Sequence, residues 1–399
     1  MRVDDPVAGG GTARNEDQRK AILDLAADFA AREIAPRVAA YDRAEQLPRD
    51  LLDQMGRLGF FGGVVPEELG GMGLDYVTFV ELIEEISKTC QILGTFVSMP
   101  SGLVGASIES YGTPEQHDRW LRPLARGEIF GAAGVTEPGS GSDVAGMTTT
   151  YRRDGDAFVI NGAKAWISNL DIAEFFVTFA TSDRSLRHAG VTAFIIPRDT
   201  PGVGVQPYKD KLGFRPLSTG DLVLDEVRVG PEALLGREGE GFAVAMTAVE
   251  RGRLGVAARA VGVTQACLED TIAYARDREA FGRSIREFQI VQSKVCDMAV
   301  GATTSRLLVR QCAERLQEGL RARELTSMAK MYASDVAQRS ATDAVQVHGA
   351  AGVSPDHRVG RMYRDAKVLQ IVEGSNDLHR ALIGEMELGL RSNGEAARS

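Results

Sequence analysis

Residues 175–196 read FFVTFATSDRSLRHAGVTAFII, and this stretch decides the class of fold. Its two ends, FFVTF and VTAFII, are runs of β-branched and aromatic residues, which are typical of strands. Similar runs occur at Phe158 to Ile160 and at Asp221 to Val229, with turns between them. The crossover helices of about 10 to 15 residues that a parallel sheet requires are missing, so residues 127–235 are predicted to form a compact antiparallel β-domain.

On both sides of this β-domain, apolar residues recur at helical spacing. Residues 12–126 are predicted to form an α-helical domain, and residues 236–390, which are Ala-rich, a four-helix bundle. The flanking residues 1–11 and 391–399 lack the pattern and are predicted to be a disordered arm and a polar tail. The chain is therefore predicted to be an α+β protein in the order α, β, α. Its long C-terminal helices are predicted at 242–278, 289–318 and 323–348.

The composition excludes several classes of function. The 399 residues include 46 Lys and Arg against 55 Asp and Glu, and the net charge of −9 disfavours nucleic acid and anionic lipid as partners. No apolar run approaches the roughly 20 residues of a membrane-spanning helix. Met1 to Glu16 lacks the basic and apolar regions of a leader peptide, so the protein is expected in the cytoplasm.

The usual metal and nucleotide motifs are missing from the sequence. The five histidines are dispersed and no metal site is expected. There is no G-x-G-x-x-G after a strand, no P-loop and no G-x-S-x-G, so a Rossmann site, a P-loop and a serine hydrolase are unsupported. The four cysteines lie far apart and are expected to be buried thiols in a reducing compartment. They are Cys90, Cys267, Cys296 and Cys312.

Three short clusters carry residue types suited to chemistry. The first, Gly134 to Asp143 (GVTEPGSGSD), offers backbone N–H groups and hydroxyls to a polar, flat or anionic ligand, although by itself it fits a plain connector better. The second, Lys164 to Asn169 (KAWISN), places a tryptophan beside a hydroxyl, although a tryptophan more often belongs to a core. The third, Arg364 to Asn376, contains Glu373 among apolar residues. Burial there would raise the pKa of Glu373 into the range of a general base; alternatively, the side chain offsets a helix dipole.

Taken together and in order, these clusters resemble motifs of the acyl-CoA dehydrogenase family, over about residues 15 to 390. The first resembles the family signature, the second its W-I-[ST]-N element and the third its E-G-[TS] element. Two further stretches, Arg278 to Gln289 and Gln346 to Asp365, resemble an R-x-x-F-G motif and a second signature. Ala350 departs from the pattern, since Gly or Ser is usual there.

The resemblance implies FAD as the cofactor, bound between the middle and C-terminal domains. The residues that match contacts to the flavin are Val135, Thr136, Ser142, Trp166 and Ser168. Those that match contacts to the pyrophosphate and adenosine of a neighbouring subunit's FAD are Arg278, Phe281, Gln289, Gln346, Gly349 and Ala350. Ser375 and Asp377 complete the cofactor set. A shared FAD implies a homo-oligomer, and a dimer of dimers is common in the family.

The resemblance also implies the reaction, oxidation of an acyl-CoA to a trans-2-enoyl-CoA. Glu373 matches the base that removes the α-proton while a β-hydride passes to flavin N5, and its backbone N–H matches part of the oxyanion hole. Some branches carry the base on the long helix instead, but Gly252 stands there. The residues that match substrate contacts are Ser142, Glu250, Arg253 and Gly374. Glu250 replaces the usual Asp, and Arg253 by itself fits a helix salt bridge better.

The sequence does not decide which thioester is the substrate or which electron acceptor is used. Electron-transfer flavoprotein is the expected acceptor; the alternatives are an acyl carrier protein thioester as substrate, or oxygen as acceptor. A non-catalytic DNA-binding member is disfavoured by the net charge, the short tail and the presence of Glu373. Relatives that desaturate dicarboxylic thioesters use an Arg near the acyl end, whereas residues 93–99 (LGTFVSM) contain no positive charge, so an uncharged acyl tail is predicted.

Overall fold

The computed structural model describes residues 16–390, and the predicted arm 1–11 and tail 391–399 lie outside the described residues. The predicted order of helical domain, sheet domain and helical domain is confirmed. The N-terminal helices are α1 (Glu16–Phe29), α2 (Val38–Ala44), α3 (Arg49–Arg57), α4 (Tyr76–Thr89), α5 (Gln91–Ser101), α6 (Leu103–Tyr111), α7 (Pro114–Gln116) and α8 (Arg122–Arg126).

A local cap explains where α4 begins. Asp75 precedes α4 and accepts hydrogen bonds from the Thr78 N–H at 2.9 Å and the Thr78 hydroxyl at 2.7 Å.

Helices α5 and α6 are separated only by Gly102 and together form an apolar stretch, Gln91–Tyr111, long enough to cross a membrane. Of this stretch 83% is buried inside the protein, which is the pattern of a core helix pair. The sequence prediction overlooked this stretch.

The middle domain contains one twisted sheet. Its strands are β1 (Gly131–Gly134), β2 (Thr150–Asp154), β3 (Ala157–Ser168), β4 (Phe175–Thr181), β5 (Val191–Pro197), β6 (Val203–Pro207), β7 (Thr219–Val229) and β8 (Leu234–Leu235). They pair in the order β6-β7-β3-β2-β4-β5-β8, and β1 also pairs with β4. Most pairs are antiparallel as predicted, but β1 and β2 run parallel to β4. This departure arises because neither β1 nor β2 reaches β4 through a hairpin.

Strand β3 is longer than the predicted run of three residues. It pairs with β7 from Phe158 to Ser168, with irregularities between Ile160 and Gly162 and between Lys164 and Ile167. Such bulges twist a strand and redirect its side chains. As a result β3 carries residues 164–168 to the end of the sheet, next to the loop that follows β1.

The C-terminal domain is a helical bundle with one divided helix. Its helices are α9 (Gly241–Asp277), α10 (Gln289–Gln317), α11 (Arg323–His348), α12 (Ala350–Val353), α13 (Val359–Leu369) and α14 (Asn376–Glu387), and a short hairpin of β9 (Glu279–Ala280) and β10 (Arg283–Ser284) follows α9. The three long helices agree with the prediction to within a residue. The fourth position of the bundle is taken by α13 and α14, and the turn between them contains Glu373.

The helical domains share a core. Buried residues of α1, α4 and α5 pack in one cluster with those of α9, α10, α11 and α13. Three cysteines are buried as expected, but Cys296 is exposed. The expectation was wrong for Cys296 because α10 buries Met298 and Ala302 on its other face and turns position 296 to solvent.

Candidate active site

The first two clusters of the sequence lie side by side at the end of the sheet. The backbone N–H of Ala165 donates to the carbonyl of Thr136 at 2.8 Å. Below this contact the ammonium of Lys164 donates to Glu137 at 2.8 Å, and both side chains are fully buried. Glu137 also accepts from the backbone N–H groups of Thr148, at 2.5 Å, and Thr149, at 3.0 Å. Burial alone raises the pKa of Glu137, but Lys164 and these donors hold it at about 2. A buried ion pair therefore ties the two clusters together.

Above this pair the two clusters present an open, partly polar surface. Trp166 is 63% exposed, has a φ of 60°, and packs edge-on against Tyr208 with ring centroids 4.9 Å apart. The hydroxyls of Thr136, Ser142 and Ser168 have no hydrogen-bond partner among residues 16–390. Val135, beside Thr136 in the chain, is partly buried and packs against a hydrophobic core cluster. An exposed indole beside unpaired hydroxyls fits the edge and face of an isoalloxazine, which carries donors, acceptors and a flat apolar ring.

The second group of predicted cofactor residues lies elsewhere in the chain. Arg278 follows the C-terminus of α9, and the chain between α9 and α10 folds back on it, because the Ile285 N–H donates to the Arg278 carbonyl at 2.9 Å. The end of α11 joins this region through the Tyr274 hydroxyl, which donates to the His348 carbonyl at 3.2 Å. All members of the group are exposed. They are Arg278, Phe281, Gln289, Gln346, Gly349 and Ala350.

One chain does not bring this second group to Glu373. The Glu373 carboxylate lies against Gly252 in the first third of α9, and Asp277, the last residue of this helix, is 25 positions further along. At 1.5 Å per residue these positions span about 38 Å. Arg278 therefore lies far from the Glu373 of its own chain.

Glu373 lies in the turn between α13 and α14. Its φ is 56° and that of Gly374 is 93°, so the turn is built from two successive left-handed residues. A Cβ built on Gly252 would lie 3.0 Å from both carboxylate oxygens of Glu373, so the missing side chain leaves room for the carboxylate. Within the described part of the chain, neither this carboxylate nor the Glu373 N–H has a hydrogen-bond partner. Both groups are thus available to a ligand.

Three side chains hold the backbone of this turn in place. Arg253 Nε donates to the Glu373 carbonyl at 3.3 Å, and His379 Nε2 lies 3.1 Å from the same oxygen. The buried ammonium of Lys330 donates to the carbonyls of Gln370 at 3.1 Å and Gly374 at 2.6 Å. Its third N–H donates to Asn376 Oδ1 at 2.8 Å. These contacts fix the position from which the Glu373 side chain projects.

The electrostatics of the turn suit a base that changes its protonation state. Burial raises the pKa of Glu373, and the positive charges of Arg253, Arg259 and Lys330 limit the increase. Burial lowers the pKa of Lys330 to about 7. The pKa of His379 falls to about 3, mainly by burial, so its ring is neutral and donates through Nε2. The carboxylate is thus surrounded by groups that stabilise its charged form without bonding to it.

Other predicted site residues are engaged within the chain. Glu250 is buried, accepts from the Ala322 N–H at 2.6 Å, and pairs with Arg323 at 3.5 Å, at the start of α11. Ser375 is the N-cap of α14 and accepts from the Leu378 N–H at 3.2 Å. Asp377 is exposed and pairs with Arg380 at 3.4 Å. The N-cap of α14 is therefore Ser375, and Glu250 is engaged at the start of α11.

Several residues that hold the candidate site together were not identified from the sequence. Lys330 and His379 lie in amphipathic helical stretches, where a charged or imidazole side chain ordinarily faces solvent. Glu137 and Lys164 lie in the first two clusters but were given no role of their own. The only local signal was the position of Lys330 between small residues in MAKMYAS, which is a pattern of a closely packed helix. No group of three or more His, Cys, Asp or Glu residues that could hold a metal ion occurs within 16–390.

Three family models match the chain in succession. They describe the N-terminal domain of acyl-CoA dehydrogenase over residues 16–128, the middle domain over 132–227 and the C-terminal domain over 239–388. The short-chain specific acyl-CoA dehydrogenase of Mus musculus mitochondria is 38% identical, over 89% of this chain and 86% of that protein. A subunit of the caffeyl-CoA reductase-Etf complex of Acetobacterium woodii is 35% identical, over 93% of this chain and 98% of that protein.

Solved structures agree over nearly the whole chain. Butyryl-CoA dehydrogenase of Megasphaera elsdenii has a TM-score of 0.91 and 35% identity, covering 95% of this chain and all of that one. A glutaryl-CoA dehydrogenase in complex with glutaryl-CoA has a TM-score of 0.92 and 32% identity, covering 96% and 98%. A prolyl acyl carrier protein oxidase has a TM-score of 0.90 and 29% identity, covering 94% and 100%.

Proposed function

This chain belongs to the acyl-CoA dehydrogenase family, and we propose that Glu373 is the base with which it oxidises the Cα–Cβ bond of an acyl-CoA. The family reaction is an oxidation of a CH–CH bond, and FAD is the cofactor. When bound, FAD accepts the hydrogen and the electron pair that leave the β-carbon. Val135, Thr136, Ser142, Trp166 and Ser168 would hold its ring, since their unpaired hydroxyls and exposed indole fit its polar edge and flat face.

The residues of this chain then handle the α-proton. The Glu373 carboxylate takes the proton from Cα as the β-hydrogen leaves with its electron pair, and the electrons of the Cα–H bond form the double bond. Negative charge develops on the thioester oxygen during this step, and the unpaired N–H of Glu373 is a donor for it. Arg253, His379 and Lys330 bind backbone or side-chain oxygens of residues 370–376, so they act by positioning Glu373.

One observation carries the proposal: the Glu373 carboxylate lies against Gly252 without a hydrogen-bond partner from residues 16–390, in a turn fixed by several others. A carboxylate whose role was structural would be paired, because an unpaired buried charge is costly. Here the buried positive charges stabilise the carboxylate while its proton-accepting oxygens stay free. This arrangement suits a base better than a structural residue.

The thioester carrier and the acceptor belong to the same proposal. We infer that the substrate is a coenzyme A ester and that electrons pass to an electron-transfer flavoprotein, since a relative is part of a complex with one. A carrier-protein substrate with oxygen as acceptor is the second candidate, and it is favoured by the likeness to a prolyl acyl carrier protein oxidase. We place the protein in the cytoplasm, with a role in fatty acid metabolism.

We also propose that the enzyme is a homo-oligomer, a dimer of dimers. The support is the distance of about 38 Å along α9 between Gly252 and Asp277, which separates Arg278 from the Glu373 of the same chain. Arg278 and its neighbours would therefore bind the FAD of a second subunit. Arg278→Ala should lower FAD occupancy, because it removes a charged contact to the pyrophosphate. The control is Arg228→Ala, which removes an exposed arginine paired with Asp154 and should leave FAD occupancy unchanged.

Anaerobic flavin reduction tests the proposal directly. The purified holoenzyme, mixed with butyryl-CoA, should lose its flavin absorbance and yield trans-2-butenoyl-CoA. Adding electron-transfer flavoprotein should restore the oxidised spectrum faster than oxygen does. A protein that takes up no FAD, or a holoenzyme whose flavin no acyl thioester reduces, would overturn the proposed function. Faster reoxidation by oxygen, with reduction only by carrier-bound substrates, would favour the second candidate.

A further inference from the structure

Arg259 is a buried positive charge without a carboxylate partner. It lies on α9 and is only 5% exposed. Two other buried cations each have a carboxylate partner: Arg251 pairs with Glu109 at 2.5 Å and Lys164 with Glu137 at 2.8 Å. A third, Lys330, has no carboxylate partner either, but it donates to three neutral oxygens. Arg259 forms no ion pair within the described residues. Burial lowers its pKa to about 10, so the guanidinium is still cationic at neutral pH.

The hydrogen bonds of Arg259 leave part of the guanidinium free. Nε donates to the Gly255 carbonyl at 3.4 Å, and Nη1 donates to Gln91 Oε1 at 3.4 Å and to the Thr95 hydroxyl. All these acceptors are neutral. Nη2 has no partner in the described part of the chain and still has accessible surface. Two N–H donors of a buried cation are therefore available to a ligand.

Helical geometry places Arg259 on the same side of α9 as the base. Gly252 and Arg259 are seven residues apart, which is about two turns or 10.5 Å along the axis. Helix α5 runs antiparallel beside them: a Cβ on Gly102 would lie 3.9 Å from the Cα of Gly252, and a Cβ on Gly94 would lie 3.2 Å from Cγ of Arg259. One end of this helix pair therefore meets Glu373 and the other end meets Arg259.

The charges of Arg259 and Glu373 influence each other. Burial lowers the pKa of Arg259 and the charge of Glu373 opposes that decrease, while the charge of Arg259 lowers the pKa of Glu373. On another side the guanidinium faces the ring of Phe214, 5.8 Å from the ring centroid. Phe214 comes from the middle domain and helps to exclude water. A cation in such surroundings binds a carboxylate strongly, because little solvent competes for it.

From this arrangement we propose that Arg259 binds an anionic group at the far end of the acyl chain, so that the preferred substrate is the thioester of a short dicarboxylic acid. The inference rests on the proposed function, because Glu373 marks where Cα of the substrate lies. The acyl chain then runs from Glu373 toward Arg259, and the distance of about two helical turns limits it to a short chain. The substrate carboxylate supplies the counter-ion that the protein does not.

This inference replaces the sequence-based prediction of an uncharged acyl tail. That prediction considered only residues 93–99, which contain no positive charge. The structure brings the side chain of Arg259 against this segment, at Gly94. Gly94 has no side chain of its own, and the space beside it is shared by Ser87 Oγ, 2.0 Å from where a Cβ would lie, and by Cγ of Arg259 at 3.2 Å.

Matched pairs of thioesters test the inference on the wild-type holoenzyme. Succinyl-CoA, glutaryl-CoA and adipoyl-CoA are each compared with the neutral thioester of equal length, butyryl-CoA, pentanoyl-CoA and hexanoyl-CoA. We expect kcat/KM for the best dicarboxylic substrate to exceed that of its neutral partner by at least about tenfold, as a charge-assisted contact gives. Equal or higher kcat/KM for the neutral member of every pair would overturn the inference.

Variants of Arg259 separate charge from packing. Arg259→Gln keeps a donor for Gln91 and Thr95 but removes the charge, and it should abolish or reverse the preference while the neutral substrates are still oxidised. Arg259→Lys keeps the charge and should retain part of the preference. Arg228→Gln, an exposed cation paired with Asp154, is the control and should change nothing. An unchanged substrate ratio in Arg259→Gln would contradict the inference.

Binding without turnover distinguishes the two proposals. Calorimetry of Glu373→Gln holoenzyme compares glutaryl-CoA with pentanoyl-CoA where no reaction follows. Tighter binding of glutaryl-CoA that is lost in the double variant Glu373→Gln, Arg259→Gln supports the anion site even if no thioester reduces the flavin of the wild type. Normal oxidation of butyryl-CoA with equal binding of both thioesters would retain the proposed function and refute the role of Arg259.

Discussion

The carboxylate of Glu373 occupies the space that a side chain at Gly252 would need. A Cβ on Gly252 would lie 2.9 Å from Cδ of Glu373 and 3.0 Å from each oxygen. Gly252 is inside α9, where a glycine ordinarily costs about 1 kcal/mol relative to alanine. Helix stability therefore does not explain this glycine, whereas the position of the carboxylate does.

Gly252→Ala should separate stability from activity. Alanine favours the helix by up to about 1 kcal/mol, so the melting temperature should hold or rise. The methyl group would displace the Glu373 carboxylate, and we expect flavin reduction to slow by about 10- to 100-fold. The control is Gly384→Ala in α14, where a Cβ would have no atom within 4 Å. This variant should show only the increase in stability that alanine gives a helix. Unchanged flavin reduction in Gly252→Ala would show that the carboxylate does not act from this position.

Glu373→Gln should retain FAD and the fold but lose most of the reaction. The amide has nearly the same shape but cannot accept the α-proton, and loss of a general base costs about 10² to 10⁴-fold in rate. Stopped-flow measurement of flavin absorbance with a good substrate gives the rate. Thr113→Ala is the control, because it removes the N-cap of α7, away from the turn, at a cost of about 1 kcal/mol and leaves the base intact. A Glu373→Gln variant within a few-fold of wild type would mean that another group is the base.

The rate of flavin reduction should rise with pH. Only the ionised form of Glu373 accepts a proton, and burial raises the pKa of this group above the ordinary value of about 4.3. At pH values below this raised pKa the carboxyl is protonated and inactive, and at higher pH the rate should reach a plateau. Single-turnover rates across the pH range locate the midpoint. A rate that did not depend on pH, or that fell as pH rose through this range, would contradict the assignment.

Lys330→Met should shift that pH profile. The ammonium of Lys330 lowers the pKa of Glu373, so its removal should move the midpoint to higher pH. The substitution also removes a donor from three oxygens. The Gln370 carbonyl still accepts from the Asn376 N–H and Asn376 Oδ1 from the Ser334 hydroxyl, so the Gly374 carbonyl is the one left unsatisfied, at a cost of about 1–3 kcal/mol. Lys294→Met, which breaks a partly exposed pair with Asp343, is the control for stability alone. A Lys330→Met variant that is destabilised but has an unshifted midpoint would show that Lys330 has only a structural role.

The buried pair of Glu137 and Lys164 should govern retention of FAD. Lys164→Met leaves the Glu137 carboxylate buried and unpaired, and we expect about 3–5 kcal/mol of destabilisation together with release of FAD. The double variant Glu137→Gln, Lys164→Met removes both charges and should recover much of the stability. Thermal unfolding followed by protein and flavin fluorescence measures both effects. Equal FAD retention in wild type and Lys164→Met would separate this pair from the cofactor site.

Local patterns in the sequence determined much of this protein. The strand runs around 175–196 and the long periodic stretches after 236 predicted the α, β, α order, because periodicity and residue type act over a few neighbouring residues. The clusters at Gly134 to Asp143 and Lys164 to Asn169 pointed to a cofactor site only through their resemblance to family motifs, since by itself each fits a connector or a core residue better. Their direct contact, through Ala165 and Thr136, follows from the length of β3, which was predicted too short.

Only the tertiary structure decided which charges face one another. Lys330 on α11 reaches the turn at 370–376, and Arg259 on α9 reaches Gly94 on α5, through contacts between residues far apart in the chain. Whether a buried Lys or Arg has a carboxylate partner depends on how the helices pack against one another, and sequence periodicity carries no information about these contacts. Glu250 illustrates the same limit, since its sequence position suggested a substrate contact and packing turned it to the start of α11. The sequence therefore determined the elements and the chemical groups, and packing determined which of those groups are left free to bind a substrate.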